Sequence, residues 1–294
     1  GHRRMHNVDF PRDIPRRWVD RVRTVEGVSR AEPYLIGFSE MTLPNGGYEG
    51  VFVVGAERAS LLGGPWNLIE GRQEDLLRSD AVIVDAADDR KLDFPQVGEI
   101  REIGHQRVRI AAKTHGIAGF LVTPYVFTTY DRAARFTRKS PDSCSYILVQ
   151  TSPGADVSKT CQRLREKLPH ADVLPRQTYS GLSIDYWMQR TGIGISFGAA
   201  TVLGLFIGLV MVAQTMYAMV LDRLAEFGTL KAMGATLRQI CLMLLTQAFV
   251  LAVAGSVIGL LLVALVQNLY SSPHAPIVLP CWLSLSSCIL VTAV

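Results

Sequence analysis

Several patterns that carry chemistry are absent from this sequence. It has no Gly-x-x-x-x-Gly-Lys-Ser/Thr stretch, which excludes ATP binding and hydrolysis through a P-loop. Its five cysteines form no Cys-x-x-Cys pair, so the usual signal of a zinc ribbon or a redox dithiol is missing. No dense block of Lys or Arg occurs and the formal net charge is only +4, so the charge gives no argument for nucleic acid. Among the six histidines only His2 and His6 have a spacing that a metal could use. We therefore expect no cofactor in this chain.

Charge is also missing from two long apolar runs, residues 193–220 and 240–269, which contain no Asp, Glu, Lys, Arg or His. Each has about 28 to 30 residues, more than the roughly 20 that an α-helix needs to cross a bilayer core. A third apolar run begins at residue 283, but its roughly 12 residues are too short to span. Overall 49% of the residues are hydrophobic and 19% are charged, which indicates a membrane part and a water-facing part. The sequence predicts two complete transmembrane helices and a truncated last one.

Basic and aromatic residues give the two predicted spans the same orientation. The connection between them carries Arg223, Lys231 and Arg238, whereas residues 270–280 contain no Lys or Arg. Basic residues in short loops favour the cytoplasmic side, so the connection is predicted to lie in the cytoplasm. Amphipathic rings, which favour the headgroup layer, stand at the opposite ends of the runs: Tyr186, Trp187, Tyr270 and Trp282.

The connection has a periodic pattern of its own. Leu221, Leu224, Phe227 and Leu230 recur at helical spacing, which predicts a short helix over residues 221–234. A glycine can end a helix because it adopts positive φ, and residue 234 is one. A threonine can cap the next helix, and residue 236 is one. The residues alone leave open whether this helix is a surface connector or a docking element.

Residues 226–240 read Glu226-Phe-Gly-Thr-Leu-Lys-Ala-Met-Gly-Ala-Thr-Leu-Arg-Gln-Ile240. This pattern, placed between two apolar runs, resembles the coupling-helix signature of MacB/FtsX-type ABC transporter permeases. The resemblance implies a cytoplasmic helix that docks on a separate ABC ATPase subunit, which would bind ATP and Mg, and it implies a homodimer of the permease. The implied docking face is Glu226, Phe227, Leu230, Lys231 and Met233. Gly234 and Ala235 are assigned to the geometry of the turn.

The first 182 residues alternate short helical and strand patterns, which predicts an α+β extracytoplasmic domain (1–182) ahead of a transmembrane domain (183–294). Helices are expected over residues 14–25, 131–136 and 157–168. Strands are expected over residues 34–41, 50–54, 81–85, 99–103, 108–112, 126–129 and 146–150. Turn signals at residues 44–47 and 104–106 predict two hairpins.

The order of these elements resembles the periplasmic core domain of MacB-type permeases. The matching pieces are Val82-Ile-Val-Asp85, Gly98-Glu-Ile-Arg-Glu-Ile103, Val108-Arg-Ile110, Pro124-Tyr-Val-Phe-Thr128 and Ile147-Leu-Val149. Residues 124–129 look most like the DevC-type branch, which implies an exporter working with a membrane-fusion protein and an outer-membrane channel. The resemblance implies a multi-pass protein of the bacterial inner membrane with its large domain in the periplasm. It also implies a transmembrane helix ahead of that domain.

Pairs of glycines four residues apart occur in both apolar runs. Gly204 with Gly208, and Gly255 with Gly259, are predicted to let helices approach closely in the bilayer. Residues 194–198 match the Gly-x-Ser-x-Gly nucleophile elbow, but that motif needs a strand, a turn and a helix around it. Inside an apolar run the match is predicted to be accidental.

Competing functions remain open at this point. An FtsX-like regulatory subunit would switch a cell-wall hydrolase without transport, and a lipoprotein-releasing permease would act on a different cargo. A membrane-anchored enzyme or sensor would need clustered acid, base or nucleophile side chains, and the sequence shows none. We therefore predict a non-catalytic membrane subunit.

Two cysteines, Cys144 and Cys161, fall in the predicted extracytoplasmic domain, where an oxidising compartment would permit a disulfide. The sequence does not show whether their Cα atoms come close enough to be bridged. The pairing stays open.

Overall fold

The structure is a computed structural model that describes residue 1, residues 11–117, residue 119, residues 123–190, residues 192–270, and residues 280, 282, 284, 286 and 287. The chain divides into two compact units, Gly1–Arg190 and Thr191–Val294. His2 and His6, whose spacing could suit a metal, lie outside the described residues. Most of the apolar run from residue 283 also lies outside them.

The first unit is a mixed α/β domain. Its helices are α1 (Trp18–Arg23), α2 (Tyr130–Phe136), α3 (Val157–Lys167) and α4 (Arg176–Asp185), and a π-helical turn at Tyr186–Arg190 follows α4. Its strands are β1 (Ile14–Pro15), β2 (Val28–Thr42), β3 (Tyr48–Ala56), β4 (Leu68–Glu70), β5 (Ala81–Asp85), β6 (Ile100–Ile103), β7 (Gln106–Thr114), β8 (Tyr125–Thr129), β9 (Ser143–Cys144) and β10 (Tyr146–Thr151). Short 3₁₀ helices occur at Gln73–Leu77 and Ala86–Asp88.

Most of the strands join one twisted path in the order β10-β2-β3-β8-β5-β7-β4. The β6 strand pairs with β2 and β7, and β1 pairs with β9 separately. The pairs β3 with β8 and β5 with β7 are parallel, whereas the β5 and β8 strands run antiparallel. Parallel neighbours need long connections, so local sequence patterns do not reveal these pairings.

The predicted hairpin at residues 44–47 is confirmed as β2 and β3. The Leu43 N–H donates to the Gly47 carbonyl at 2.8 Å, and Gly46 has φ of 81°. The Gly47 N–H donates to Asn45 Oδ1 at 2.8 Å, which is the local bond that makes Asn favourable in turns. The second predicted hairpin is confirmed as β6 and β7.

The main core lies between the sheet and α2. Leu35 and Val53 of the sheet and Tyr130 and Ala133 of α2 are buried in one cluster. A Cβ at Gly55 would lie 2.4 Å from the Cβ of Ala133, so glycine is needed there for α2 to approach β3. A second cluster packs α1 and α3 against the start of β2.

Several sequence predictions for this unit need correction. The helix predicted over residues 14–25 is wrong at both ends, because residues 14–15 pair with β9 and α1 covers only Trp18–Arg23. The strand predicted over residues 34–41 is too short, because β2 extends back to Val28. Pro33 lies within β2, and a proline ordinarily argues against a strand at its position. The strand at residues 81–85 is confirmed.

The second unit consists of α5 (Ile193–Asp222), α6 (Leu224–Ala232) and α7 (Leu237–Tyr270) among its described residues. The α5 helix has 30 residues and contains an 18-residue stretch of mean hydropathy 2.3, and the 33 residues 237–269 of α7 contain one of mean hydropathy 2.8. At 1.5 Å per residue both exceed the roughly 30 Å of a bilayer core. Both predicted apolar runs are therefore helices long and apolar enough to cross a membrane.

Candidate functional site

A single residue, Arg223, separates α5 from α6. Its φ of −103° and ψ of 16° depart from helical values. The Arg223 N–H still bonds to the Met219 carbonyl at 3.3 Å, and the Phe227 N–H bonds to the Arg223 carbonyl at 3.1 Å. Arg223 thus ends the hydrogen bonds of α5 with its N–H and begins those of α6 with its carbonyl. The helix predicted over residues 221–234 therefore begins later, because Leu221 and Asp222 belong to α5.

The C-terminus of α6 is closed by a Schellman motif. Gly234 has φ of 101°, in the left-handed region. Its N–H donates to the Lys231 carbonyl at 3.1 Å, and the Ala235 N–H donates to the Leu230 carbonyl at 3.0 Å. A Cβ at Gly234 would meet no atom within 4 Å, so the need for glycine is conformational and not steric. The predicted geometric role of Gly234 agrees with this turn.

The next helix is capped within two residues of that turn. The N–H and the hydroxyl of Thr236 donate to Gln239 Oε1 at 2.8 Å and 3.0 Å. In return the N–H groups of Gln239 and Ile240 donate to the Thr236 carbonyl at 3.0 Å and 3.3 Å. The bond from the Thr236 N–H to the side chain of Gln239, the third residue of the helix, is one of the two bonds of a capping box. Residues 233–236 are therefore a short connection with hydrogen bonds at both ends.

The five predicted docking residues lie on one side of α6, but they are not equally accessible. Phe227 and Leu230 are half-buried. At 100° per residue, Glu226 and Met233 lie at one edge of that half-buried pair and Lys231 lies at the other edge. All three edge residues are exposed, and Met233 is 77% exposed. The structure thus leaves the two charges and the methionine available to a partner, and it turns the two larger apolar side chains partly inward.

Sequence reasoning missed two exposed leucines at the ends of this region. Leu224 is 59% exposed in the first turn of α6, and Leu237 is 69% exposed in the first turn of α7. The helical spacing identifies Leu224 only as one member of the periodic pattern, and Leu237 lies ahead of the second apolar run, which begins at residue 240. Ile240, by contrast, is buried, with only 9% of its surface exposed. The exposed apolar surface around α6 is larger than the predicted docking face.

The predicted packing glycines have open space beside them. A Cβ at Gly204, Gly208, Gly255 or Gly259 would meet no atom within 4 Å. No described residue therefore packs on them, and their role in helix packing stays a prediction. The Gly-x-Ser-x-Gly match lies inside α5, where the Ser196 hydroxyl donates to the Gly192 carbonyl at 3.0 Å. That helical context does not form a nucleophile elbow.

A buried carboxylate organises one end of the sheet in the first unit. Asp85 ends β5 and accepts hydrogen bonds from the Ala87 N–H, the Thr114 hydroxyl, the Gly116 N–H and the Ile117 N–H, at 2.8 to 3.1 Å. A carboxylate with this many donors ties the end of β5 to the end of β7. Its role is structural. Among the described residues no three His, Cys, Asp or Glu side chains are grouped as a metal site needs.

Arg132 of α2 is a buried cation held by neutral acceptors. Its guanidinium donates to the Ala81 and Leu76 carbonyls and, at 3.0 Å, to the Thr129 hydroxyl. Burial lowers the pKa of Arg132 to about 10. These bonds fasten α2 to β5 and to the 3₁₀ turn before it.

Both cysteines of the first unit, Cys144 and Cys161, are free and buried. Burial raises the pKa of the Cys144 thiol to about 12, so the thiolate is absent at neutral pH. Cys144 belongs to the main core with α2, whereas Cys161 lies in α3.

Comparison with known proteins gives one family match. Residues 198–294, about a third of the chain, match the FtsX-like permease C-terminal family. The match takes in most of α5, all of α6 and α7, and the turn between them. The C-terminal third of the chain is therefore similar to the FtsX-like permease C-terminal family. No protein with a curated description matches this sequence.

Three solved structures resemble part of the chain at low identity. The extracellular domain of the noncanonic ABC-type transporter YknZ from Gram-positive bacteria is 13% identical, with 55% of this chain and 87% of that chain covered and a TM-score of 0.42. The periplasmic region of MacB from Actinobacillus actinomycetemcomitans is 12% identical, with 58% and 83% covered and a TM-score of 0.44. A domain of a putative permease protein from Porphyromonas gingivalis is 16% identical, with 56% and 81% covered and a TM-score of 0.39.

Proposed function

We propose that this chain, whose residues 198–294 match the FtsX-like permease C-terminal family, is the permease subunit of an ABC-type export complex. In this proposal α5 and α7 cross the bacterial inner membrane and α6 lies in the cytoplasm. A separate ABC ATPase binds ATP and Mg and docks on α6. The permease transmits the resulting motion through its two long helices to the first unit, which lies in the periplasm.

The observation that carries the proposal is the construction of α6. It is a nine-residue helix between two candidate spans, with one residue joining it to α5 and a four-residue turn joining it to α7. Arg223 is bonded to α5 through its N–H and to α6 through its carbonyl, and the Schellman motif at Gly234 fixes the other end of α6. A force applied to such a helix reaches both long helices without first being absorbed by a flexible loop.

The exposed edge residues give α6 a surface for a partner. Glu226 stands in the first turn and Lys231 in the last turn, where their charges suit the helix dipole and remain accessible. Met233 offers an exposed, adaptable apolar side chain. We infer that the ATPase contacts the edge formed by Glu226 and Met233, while the half-buried Phe227 and Leu230 hold α6 in place.

Further partners belong to the same proposal. The open space beside the four glycines suits a second copy of the permease, whose helices would pack there in a homodimer. A membrane-fusion protein and an outer-membrane channel would complete a DevC-type exporter. The residues of the DevC-like piece after Tyr125 form β8 and are buried, so a fusion protein would contact other parts of the first unit.

Capture and deletion experiments test the proposed function together. The full-length protein, tagged and purified from membranes, is expected to retain the ABC ATPase encoded beside it, and deletion of the gene is expected to reduce efflux. Retention with a cell-separation defect and normal efflux would support the FtsX-like regulatory role in place of export. Absence of any ATPase from the purified protein would contradict both roles.

A further inference from the structure

A groove of about 390 Å³ lies between the end of α5 and the middle of α7. Six residues line it: Met219, Arg223, Thr246, Gln247, Val250 and Leu251. Three of them, Met219, Val250 and Leu251, are apolar. The groove thus combines one cation with a largely apolar wall.

The side chain of Arg223 is unpaired within the part of the chain that the structure describes. Arg223 makes no side-chain hydrogen bond or ion pair with any other residue that the structure describes. It comes directly after the apolar α5 helix, whose only charged residue is its last, Asp222. An arginine at the edge of a span needs an anion or water, because an unpaired charge in hydrocarbon is costly. Its planar guanidinium has the geometry to bind a phosphate through two parallel bonds.

The polar neighbours of Arg223 divide into a free donor and an occupied one. The Thr246 hydroxyl lies against the carbonyls of Leu242 and Met243, at 2.6 Å and 2.9 Å, so its proton is used on α7 itself. The Gln247 amide has no side-chain partner among the described residues. A ligand in the groove therefore finds two donor groups, the Arg223 guanidinium and the Gln247 amide.

A bilayer crossed by α5 and α7 would place the groove near the lipid headgroups. Thr246 lies about 14 Å along α7 from its first residue, Leu237, and it lines the groove beside the end of α5. The first turns of α7 therefore extend beyond the end of α5. Above the groove, all residues of the 30-residue α5 helix before its last residue, Asp222, are uncharged. A bilayer placed on that uncharged length has its phosphate layer near Arg223.

We propose that the groove binds a phospholipid, with its phosphate on Arg223 and Gln247 and its acyl chain along Met219, Val250 and Leu251. The bilayer itself supplies this ligand at high local concentration. The surrounding segment carries three basic residues and two acidic residues between positions 222 and 238, a balance of +1, which favours an anionic headgroup over a zwitterionic one. The inference requires α5 and α7 to cross a membrane but does not depend on ATPase docking.

Native mass spectrometry of the full-length protein tests the site. The protein is reconstituted in nanodiscs of phosphatidylglycerol and phosphatidylcholine, released, and scored for lipid that remains bound. We expect phosphatidylglycerol to remain on the unaltered protein and on Arg238→Gln, whose side chain does not line the groove. Arg223→Gln is expected to reduce retention about tenfold, as loss of one charge-assisted pair predicts. Arg223→Lys is expected to restore part of it.

A groove-filling variant separates the site from general basic charge. Val250→Trp leaves Arg223 in place but fills the apolar wall, and it is expected to lower retention as far as Arg223→Gln does. Unchanged retention in either variant would overturn the proposal. Release of the bound lipid by millimolar inorganic phosphate would assign the site to a free anion, and a cross-link from residue 250 to a second copy of the chain would assign the groove to a protein contact. Either result would overturn the lipid assignment.

Discussion

Replacing Gly234 tests the mechanical role of the turn after α6 most sharply. Its φ of 101° lies beyond the usual left-handed value of about 57°, and a Cβ there would meet no atom within 4 Å. The cost of Gly234→Ala is therefore purely conformational, about 1–2 kcal/mol. A β-branched side chain is more restricted, so Gly234→Val is expected to cost more.

A glycine inside α6 provides a matched control in which the same substitution should stabilise the helix. Gly228 lies inside α6 and likewise has no atom within 4 Å of a Cβ, but it does not have positive φ. Gly228→Ala should stabilise the helix by about 0.5–1 kcal/mol, because alanine loses less backbone entropy there. The two glycine-to-alanine changes should thus differ by about 1.5–3 kcal/mol in the stability of one short helix.

Hydrogen exchange and coupled activity measure this difference. In Gly234→Ala the N–H groups of residues 234 and 235 lose their Schellman bonds more often, so their exchange should speed up about 5- to 30-fold. In Gly228→Ala exchange over α6 should slow. We expect Gly234→Val to insert into the membrane and to lose coupled transport. Exchange that is unchanged in Gly234→Ala, or normal export by Gly234→Val, would refute the reasoning.

Three further predictions concern the first unit. Asp85→Asn replaces a carboxylate oxygen by a donor facing N–H groups, and it should lower the free energy of unfolding by about 1–3 kcal/mol, measured by thermal unfolding of the full chain. Gly55→Ala forces α2 away from β3 and should cost about 1–3 kcal/mol in the same assay, whereas Gly46→Asn, at an open turn position, should cost less. Burial raises the pKa of the Cys144 thiol to about 12, whereas the thiol of an unfolded chain has a pKa of about 8.5. The stabilisation from the buried neutral thiol is therefore complete below about pH 8.5 and is lost as pH rises toward about 12. Cys144→Ala should flatten that alkaline loss, and an unchanged pH profile would contradict the burial argument.

The parts of the fold that the sequence predicts are those with local causes. The α5 and α7 helices follow from uninterrupted apolar composition, and the strand at residues 81–85 follows from a short apolar run between polar residues. The end of α6 follows from the glycine at residue 234, because few other residues adopt positive φ.

The parts that the sequence did not predict depend on distant contacts. The parallel pairing of β3 with β8 brings Phe52 beside Tyr125, far apart in the chain, and no local pattern encodes it. The backward extension of β2 depends on its pairing with β10, which outweighs the signal of Pro33. In the candidate site, the half-burial of Phe227 and Leu230 depends on tertiary packing, so the helical spacing alone could not separate them from the exposed Met233.

The central claim is that an ATPase docks on the Glu226 and Met233 edge of α6, and one paired capture experiment tests it most directly. Met233→Asp places a charge on that edge, while Ala225→Asp places the same charge on the side of α6 away from Phe227 and Leu230. The full-length variants are purified with the ATPase, and bound ATPase and its lipid-dependent activity are measured. The account predicts loss of both in Met233→Asp and retention of both in Ala225→Asp. Undiminished capture and activity in Met233→Asp would contradict it.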